Sequence, residues 1–174
     1  NATIGTDVNW LPTDQVTVCL VRSKADATQR QSATFGVYDT AGGAAARRLG
    51  AHLPWDDGNI YWDFGGATSP NRLTISGQSF SALLIDRFVL TAGPAGSAVY
   101  RNGVLIGSQS TAISRSSGGD YFSLNSGNTT SAGDLQAFNY FAMHNRQFTA
   151  AEAISWSQNP WQLFKSRRDL VNSP

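Results

Sequence analysis

Residues 54–61, PWDDGNIY, hold the densest set of side chains that could bind a ligand. Trp55 offers a flat ring on which a sugar can stack, and Asp56, Asp57 and Asn59 can exchange hydrogen bonds with sugar hydroxyls. The carboxyl oxygens of Asp56 and Asp57 are also ligands that calcium prefers. The competing interpretation is a polar turn that joins two strands, with Trp55 packed inward.

A second candidate surface is the loop over residues 65–72, GGATSPNR. Asn71 and Arg72 could meet a sugar or a carboxylate there, because an amide bonds hydroxyls and a guanidinium pairs with carboxylates. The alternative is that Arg72 starts a strand and faces solvent. Asp63 is the other carboxylate near these two loops.

Catalytic groups are harder to find in this chain. The two histidines, His52 and His144, are far apart in sequence and lack metal-ligand spacing. His144 ends a predicted core strand, where we expect a structural role. The sequence contains no nucleophile-elbow motif and no Gly-rich phosphate loop followed by Lys and Ser or Thr. These motifs therefore give no support to an enzyme.

The composition excludes several classes of partner. Charged residues make up 14% of the 174 and the net charge is +1, which does not support a general nucleic-acid interface. Lys165, Arg167 and Arg168 form the only basic cluster, which we interpret as a solvated tail over residues 165–174. No apolar run approaches the roughly 20 residues that span a bilayer. Cys19 is the only cysteine, so no internal disulfide forms, which favours a bacterial or viral source.

The elements that must position these side chains are short strands separated by turn residues. One helix is predicted, over residues 149–158, because Thr149 and Glu152 form a capping box and Asn159–Pro160 cannot continue the helix. The pattern therefore predicts an all-β fold, a two-sheet antiparallel jelly-roll β-sandwich with one short C-terminal helix. The predicted strands are 16–22, 33–38, 48–53, 59–64, 72–75, 84–91, 98–101, 104–106, 121–124 and 135–144.

Two segments resemble the laminin-G-like domains of the concanavalin A-like superfamily. Residues 88–91 and 96–106 are similar to a strand and the Y-x-N-G hairpin that follows it in that family. Asn102 and Gly103 lie at the turn, and both residue types accept the positive φ of a type I′ turn. Residues 133–152 are similar to the family's last core strand and its R-x-L-S-x-x-E turn. The resemblance implies one sandwich over residues 1–164.

The segment 159–164, NPWQLF, is similar to the endings of such domains in bacteriophage and prophage proteins. Pro160 is a helix stop, and we expect Trp156, Trp161 and Phe164 to cover the edge of the sandwich. The alternative for Trp161 is a sugar-stacking role.

The superfamily also includes glucanases, so an enzyme has to be considered. Retaining hydrolysis needs two carboxyls about 5 Å apart, and laminarinase-type glucanases carry theirs as Glu-x-Asp-x-Glu on one strand. This chain has a single glutamate, Glu152, which the capping box uses. Asp56 and Asp57 are adjacent, so on a strand their side chains would face opposite ways. The catalytic motif is therefore absent.

We therefore expect a module without catalysis and without a cofactor, calcium at Asp56 and Asp57 being the alternative. The main hypothesis is a structural or display module of a phage particle, a capsid decoration protein, head fibre or tail component, whose partners are virion proteins or further copies. The alternative is a lectin-like carbohydrate-binding module that recognises cell-surface polysaccharide outside the cell. A concanavalin A-like glycoside hydrolase is the third option. Neither nucleic acid nor membrane insertion is expected.

Overall fold

The computed structural model describes residues 2–5, 8–38, 45–119, 121–127 and 136–161. It is an antiparallel β-sandwich with one α-helix, which confirms the predicted fold class. The strands are β1 (Ala2–Gly5), β2 (Val16–Lys24), β3 (Ser32–Tyr38), β4 (Leu49–His52), β5 (Ile60–Phe64), β6 (Arg72–Ile75), β7 (Ile85–Gly93), β8 (Gly96–Arg101), β9 (Val104–Gln109), β10 (Tyr121–Gly127) and β11 (Gln136–His144). The helix α1 spans Ala150–Gln158, and a 3-10 turn spans Ala45–Arg47.

The strands form two sheets. The six-stranded sheet has the order β1-β10-β3-β4-β5-β6, and the five-stranded sheet has the order β11-β2-β7-β8-β9. Strand β1 was not predicted, because its four residues show no alternation; it pairs with β10 at the sheet edge. Strand β7 begins one residue later and ends two residues later than predicted, since its pairing with β8 continues to Gly93.

The main core lies between the two sheets. Alternate residues of each strand point inward, so Ile60, Trp62 and Phe64 of β5 are buried, as is Phe35 of β3. The indole N–H of Trp62 donates to the Thr91 carbonyl across the sandwich at 2.8 Å. This bond satisfies the one polar atom that a tryptophan brings into an apolar core.

A second apolar cluster lies on the outer face of the five-stranded sheet, beneath α1. It consists of Cys19, Val21, Val89, Tyr100, Ala153 and Trp156. Strand β2 is therefore buried on both faces, which explains why its sequence is apolar almost throughout. Burial raises the pKa of the Cys19 thiol well above its ordinary value.

The helix has the capping box expected from its sequence. The Thr149 hydroxyl accepts from the Glu152 amide at 3.3 Å, and the Glu152 carboxylate accepts from the Thr149 amide at 2.9 Å. Hydrogen bonds from Arg146 and Thr149 lower the pKa of Glu152 to about 2. At the other end, Pro160 is buried, whereas Trp161 is 50% exposed and so covers less of the sandwich than expected. Phe164 and the tail 165–174 lie outside the described residues.

The turn between β8 and β9 has the backbone that its residues favour. Asn102 has φ of 53° and Gly103 has φ of 87°, as a type I′ turn requires. The Gly103 amide donates to Ser157 Oγ at 3.0 Å, which ties the hairpin to the end of α1. Among the described residues, no helix has both the length and the hydrophobicity to cross a bilayer.

Candidate ligand-binding face

The candidate site is on the outer face of the six-stranded sheet, the face away from the main core. Because Ile60, Trp62 and Phe64 point inward, Tyr61 and Asp63 of β5 must point outward. The sheet register places Gly36, Gly50, Asp63 and Arg72 in one row across β3, β4, β5 and β6. Residues that are far apart in sequence therefore meet on this face.

Asp63 lies at the centre of an ionic cluster with Arg48 and Arg72, which we call the clamp. Arg72 donates from Nε and Nη2 to the two Asp63 oxygens at 2.6 and 2.7 Å, a bidentate pair. Arg48 Nε donates to Asp63 Oδ2 at 2.5 Å. The Asp63 side chain is fully buried, while those of Arg48 and Arg72 remain 37% and 22% exposed. The clamp itself contains two guanidinium groups and one carboxylate, and the Asp57 carboxylate also acts electrostatically on Arg72.

Arg48 lies along β4 above Gly50. Its Nε contacts Asp63 on the next strand, and its Nη2 lies 3.1 Å from the His52 Nε2 two residues beyond Gly50. A Cβ on Gly50 would lie 2.9 Å from the Phe35 carbonyl oxygen and 3.1 Å from the Gly36 Cα. Glycine is therefore required here by the close approach of β3 and β4, and it leaves the floor beneath Arg48 free of side chains.

His52 is a neutral imidazole that orients the Arg48 guanidinium. Burial lowers the pKa of His52 to about 4, although the Ser32 carbonyl and Asp63 act in the opposite direction. Its Nδ1 lies 3.0 Å from the Ser32 carbonyl, which can only accept, so Nδ1 carries the proton. The other nitrogen, Nε2, then has a lone pair for Arg48. The imidazole therefore fixes the guanidinium without adding a charge.

The side chains of Asp57, Asn59 and Tyr61 form a polar rim beside the clamp. The Tyr61 hydroxyl donates to Asp57 Oδ2 at 2.5 Å, and Asn59 donates to the same carboxylate from its amide side chain at 3.0 Å. Slight desolvation raises the pKa of Asp57, but these hydrogen bonds outweigh it and leave the pKa below its ordinary value. Arg72 stacks on the Tyr61 ring at 4.5 Å, which joins the rim to the clamp.

Trp55 and Asp56 border this surface. The Trp55 ring packs edge-on against His52 at 4.4 Å between centroids, and it is half-buried rather than part of the main core. The Trp55 amide donates to the Asn59 carbonyl at 2.9 Å, so the segment is a turn between two strands, and a sugar-stacking role for the Trp55 ring stays a prediction. Asp56 accepts from Gln31 at 2.6 Å, so the two adjacent carboxyls take different partners. In the described part of the chain, no three His, Cys, Asp or Glu side chains group as metal ligands. Calcium binding stays a prediction.

The structure brings some of the predicted site residues together and leaves others apart. Asp57, Asn59 and Arg72 belong to the rim and the clamp, and Arg72 is indeed the first residue of a strand. Asn71 contributes its carbonyl to the Phe64 amide at 2.9 Å. No described hydrogen bond links the Asn71 side chain to the clamp.

Sequence reasoning missed the roles of Arg48, His52 and Tyr61, and it gave Asp63 no partner. Strand alternation does place Tyr61 and Asp63 on one face, because both alternate with three large apolar residues, but it does not say what they contact. Arg48 had no such pattern. It joins the site only through the pairing of β4 with β5.

The clamp keeps guanidinium donors that its own hydrogen bonds do not use. Arg48 and Arg72 each have one terminal nitrogen, Nη1, that makes no hydrogen bond among the described residues. A guanidinium N–H is a strong donor to carboxylate oxygens. The rim next to it offers an amide, a phenol hydroxyl and a carboxylate, which are donors and acceptors for hydroxyl groups. The face therefore presents guanidinium donors beside groups that can exchange hydrogen bonds with hydroxyls.

Comparison with known proteins rests on structure. No family model matches the chain, and no curated protein sequence matches it. The CBM40 of the Ruminococcus gnavus IT-sialidase, solved with α2,6-sialyllactose, superposes with a TM-score of 0.63 and 13% identity; the match covers 89% of this chain and 93% of that one. The botulinum neurotoxin serotype G binding domain matches with a TM-score of 0.63 and 12% identity, over 86% of this chain. Trypanosoma rangeli sialidase matches with a TM-score of 0.58 and 14% identity.

These likenesses establish the fold alone, because all three sequence identities are low. This chain spans 23% of the Trypanosoma rangeli sialidase and 37% of the neurotoxin binding domain. Of these three matches, the CBM40 is the one that covers most of both chains. The laminin-G and phage parts of the sequence resemblance gain no support from these three structures.

Proposed function

We propose that this chain is a carbohydrate-binding module that recognises an acidic saccharide on the outer face of the six-stranded sheet. The observation that carries this proposal is the clamp, in which two guanidiniums share one buried carboxylate and keep their Nη1 groups unused. The carboxylate of an acidic sugar would bind these N–H groups. Its hydroxyls would bind Asp57, Asn59 and Tyr61, and Trp55 would border the sugar ring.

The comparisons support this proposal at the level of fold. The CBM40 that matches over both chain lengths was solved with sialyllactose, a saccharide whose sialic acid carries a carboxylate. A module of this kind acts outside the cell or at a surface, where glycans are displayed. The lectin-like alternative from the sequence is therefore better supported than the virion hypothesis.

The face is better suited to binding than to hydrolysis. Glycoside hydrolysis needs a general acid whose pKa is raised. The donors around Asp57 lower its pKa instead, and Asp63 is held by two guanidiniums. A virion display module could carry the same glycan-binding face, but that role rests on the resemblance of residues 159–164, the lack of a disulfide and the low charge of the sequence.

The test is calorimetric titration with sialyllactose and, as the neutral counterpart, lactose. We expect sialyllactose to bind at least about tenfold more tightly than lactose, because a hydrogen bond to a charged group contributes about 1.5–3 kcal/mol. Arg72→Lys keeps the charge but loses the planar fork, so it should remove most of that preference. Equal affinity for the two saccharides would refute the anion subsite, and no binding of either would count against the whole proposal.

The matched control is Arg30→Lys, because Arg30 pairs with Asp26 on an exposed loop and lies outside the site. It should leave both affinities unchanged. Trp55→Ala tests the neutral part of the site separately. If the ring contacts the sugar, this variant weakens binding of sialyllactose and lactose by a similar factor.

A further inference from the structure

A groove of about 500 Å³ lies on the other side of the molecule, on the outer face of the five-stranded sheet. Helix α1 covers the part of that face formed by β2, β7 and the end of β8 at Tyr100. The groove lies beyond the first turn of α1, over β8 and the edge strand β9. It contains none of the clamp or rim residues.

The floor of the groove is made by small side chains. Ala98 of β8 is directly opposite Ser108 of β9 in the register, and both side chains line the groove. Tyr100, the next outward residue of β8, bounds one end, and the turn at Pro94 and Ala95 bounds the other. The segment that leads into α1 forms the side wall, with Gln147 and Phe148. The result is an open trough, because no large side chain projects from its floor.

Gln147 is fixed in the wall of the groove by the turn. Its Oε1 accepts from the Ala95 amide at 3.1 Å, and its Nε2 donates to the Gly96 carbonyl at 2.9 Å. A Cβ on Gly93 would lie 2.9 Å from that Oε1, so the glycine makes room for the amide group. The second hydrogen on Gln147 Nε2 is not used in these bonds, and the two bonds fix its direction. A donor that is already oriented costs little entropy when a ligand binds.

The unused hydrogen-bonding groups of the groove are all neutral. Within the described part of the chain, Tyr100 Oη, Ser108 Oγ and Ser110 Oγ have no hydrogen-bond partner, and each can both donate and accept. The described residues that line the groove include no Asp, Glu, Lys, Arg or His. An anion would therefore find no opposite charge. A helical peptide would find no deep apolar pockets for its anchor residues, which that mode of binding requires.

We infer that this groove is a second binding site and that its ligand is a neutral oligosaccharide. The hydroxyls of a sugar match the mixed donor and acceptor groups of the trough, and the volume is within the roughly 300–1,000 Å³ typical of ligand sites. The inference goes beyond the acidic-saccharide site, because the two sites are on opposite faces of the sandwich and share no residue. Either can fail without the other.

The test follows backbone amide shifts of the ¹⁵N-labelled chain during titration with neutral probes: maltotetraose, cellotetraose and chitotetraose. At least one probe should bind saturably and shift the amides of Ala98, Ser108 and Gln147. Ser108→Phe fills the trough from an exposed position and should weaken that binding by about tenfold or more. Tyr100→Phe removes one hydroxyl and keeps the ring, so it should weaken binding by a smaller factor.

Ala137→Phe is the matched control, since Ala137 is an exposed strand residue at the opposite edge of the same sheet. It should leave binding unchanged. Three results would overturn the inference: no shift with any probe, shifts confined to the six-stranded sheet, or binding unaffected by Ser108→Phe. A peptide that pairs along β9 in preference to every saccharide would overturn it as well.

Discussion

The outer faces of the two sheets of this sandwich differ in polarity. The five-stranded sheet places Cys19, Val21 and Val89 outward, and these apolar residues are buried by Trp156 and Ala153 of α1. The six-stranded sheet places charged and polar residues outward, and they satisfy one another while the guanidinium groups of Arg48 and Arg72 stay partly exposed. An apolar outer face therefore needs a helix, whereas a polar one can remain available to a ligand.

On the helix-covered face of the five-stranded sheet, Trp156 should contribute most to the stability of the protein. Trp156→Ala is expected to lower the free energy of unfolding by about 3–5 kcal/mol, as for other large aromatics removed from a core. Chemical denaturation measures this loss. Trp161→Ala, at a half-exposed position, should cost less than about 1 kcal/mol. If both variants cost the same, α1 is not the element that stabilises this face.

Trp156→Phe sharpens the same comparison. The Trp156 Nε1 is buried without a hydrogen-bond partner among the described residues, which carries a cost of its own. Removing that N–H while keeping a ring should therefore cost far less than Trp156→Ala.

On the outer face of the six-stranded sheet, the stability of the protein should depend on the charge of Asp63. Asp63→Asn keeps the shape but leaves Arg48 and Arg72 together without their shared anion. We expect a loss of about 2–4 kcal/mol, at or slightly below the usual range for a broken buried pair because both guanidiniums are partly exposed. The double variant Asp63→Asn with Arg48→Gln should recover part of the loss, since one of the two like charges is gone. A single variant as stable as the parent would show that the clamp is not an electrostatic unit.

The open face should also give the protein a pH dependence through His52. The folded-state pKa of about 4 lies below the ordinary value of 6.5, so between these values the unfolded chain binds a proton that the folded chain does not. Stability should therefore fall as the pH drops from about 6.5 towards 4, by at most about 1.4 kcal/mol per pH unit. Denaturation between pH 6.5 and 5 measures the slope, before most carboxyls titrate.

His52→Gln should flatten this slope. His144 must be varied in parallel, because burial lowers its pKa too. A slope that persists in His52→Gln and vanishes in His144→Gln would assign the effect to the five-stranded sheet.

The smallest expected effect concerns the cap of α1. Thr149→Ala removes the hydroxyl that accepts from the Glu152 amide. The free energy of unfolding should therefore fall by about 1 kcal/mol. The matched control is Ser155→Ala, an exposed position within the helix, where alanine should be neutral or slightly stabilising. Equal costs for the two variants would deny the capping box a role in stability.

The parts of the fold that could be predicted from sequence are those set by local rules. The capping box and the Asn102–Gly103 turn involve residues a few positions apart, so their types are sufficient to predict them. The alternation of β5 is visible in the same way. Strand β1 has no pattern of its own, and only its pairing with β10 makes it a strand.

The candidate site was harder to predict because strand register assembles it. Asp57, Asn59 and Arg72 were recognised as polar loop or strand-end residues, but their meeting with Arg48 and Asp63 depends on which residue of β4 is opposite which residue of β5. The groove is less visible still, since Gln147 reaches the turn at Ala95 from a distant part of the sequence. No local spacing encodes either contact.

The burial of Cys19 beneath α1 makes this chain convenient for chemical labelling. It is the only cysteine in the sequence, and its thiol is inaccessible and hard to deprotonate. A cysteine introduced at a surface position would therefore be the sole reactive thiol. Coupling to a support through Thr74→Cys would mask the clamp face, and coupling through Ser108→Cys would mask the groove. The position of the new cysteine thus decides which side of the molecule remains exposed to solvent.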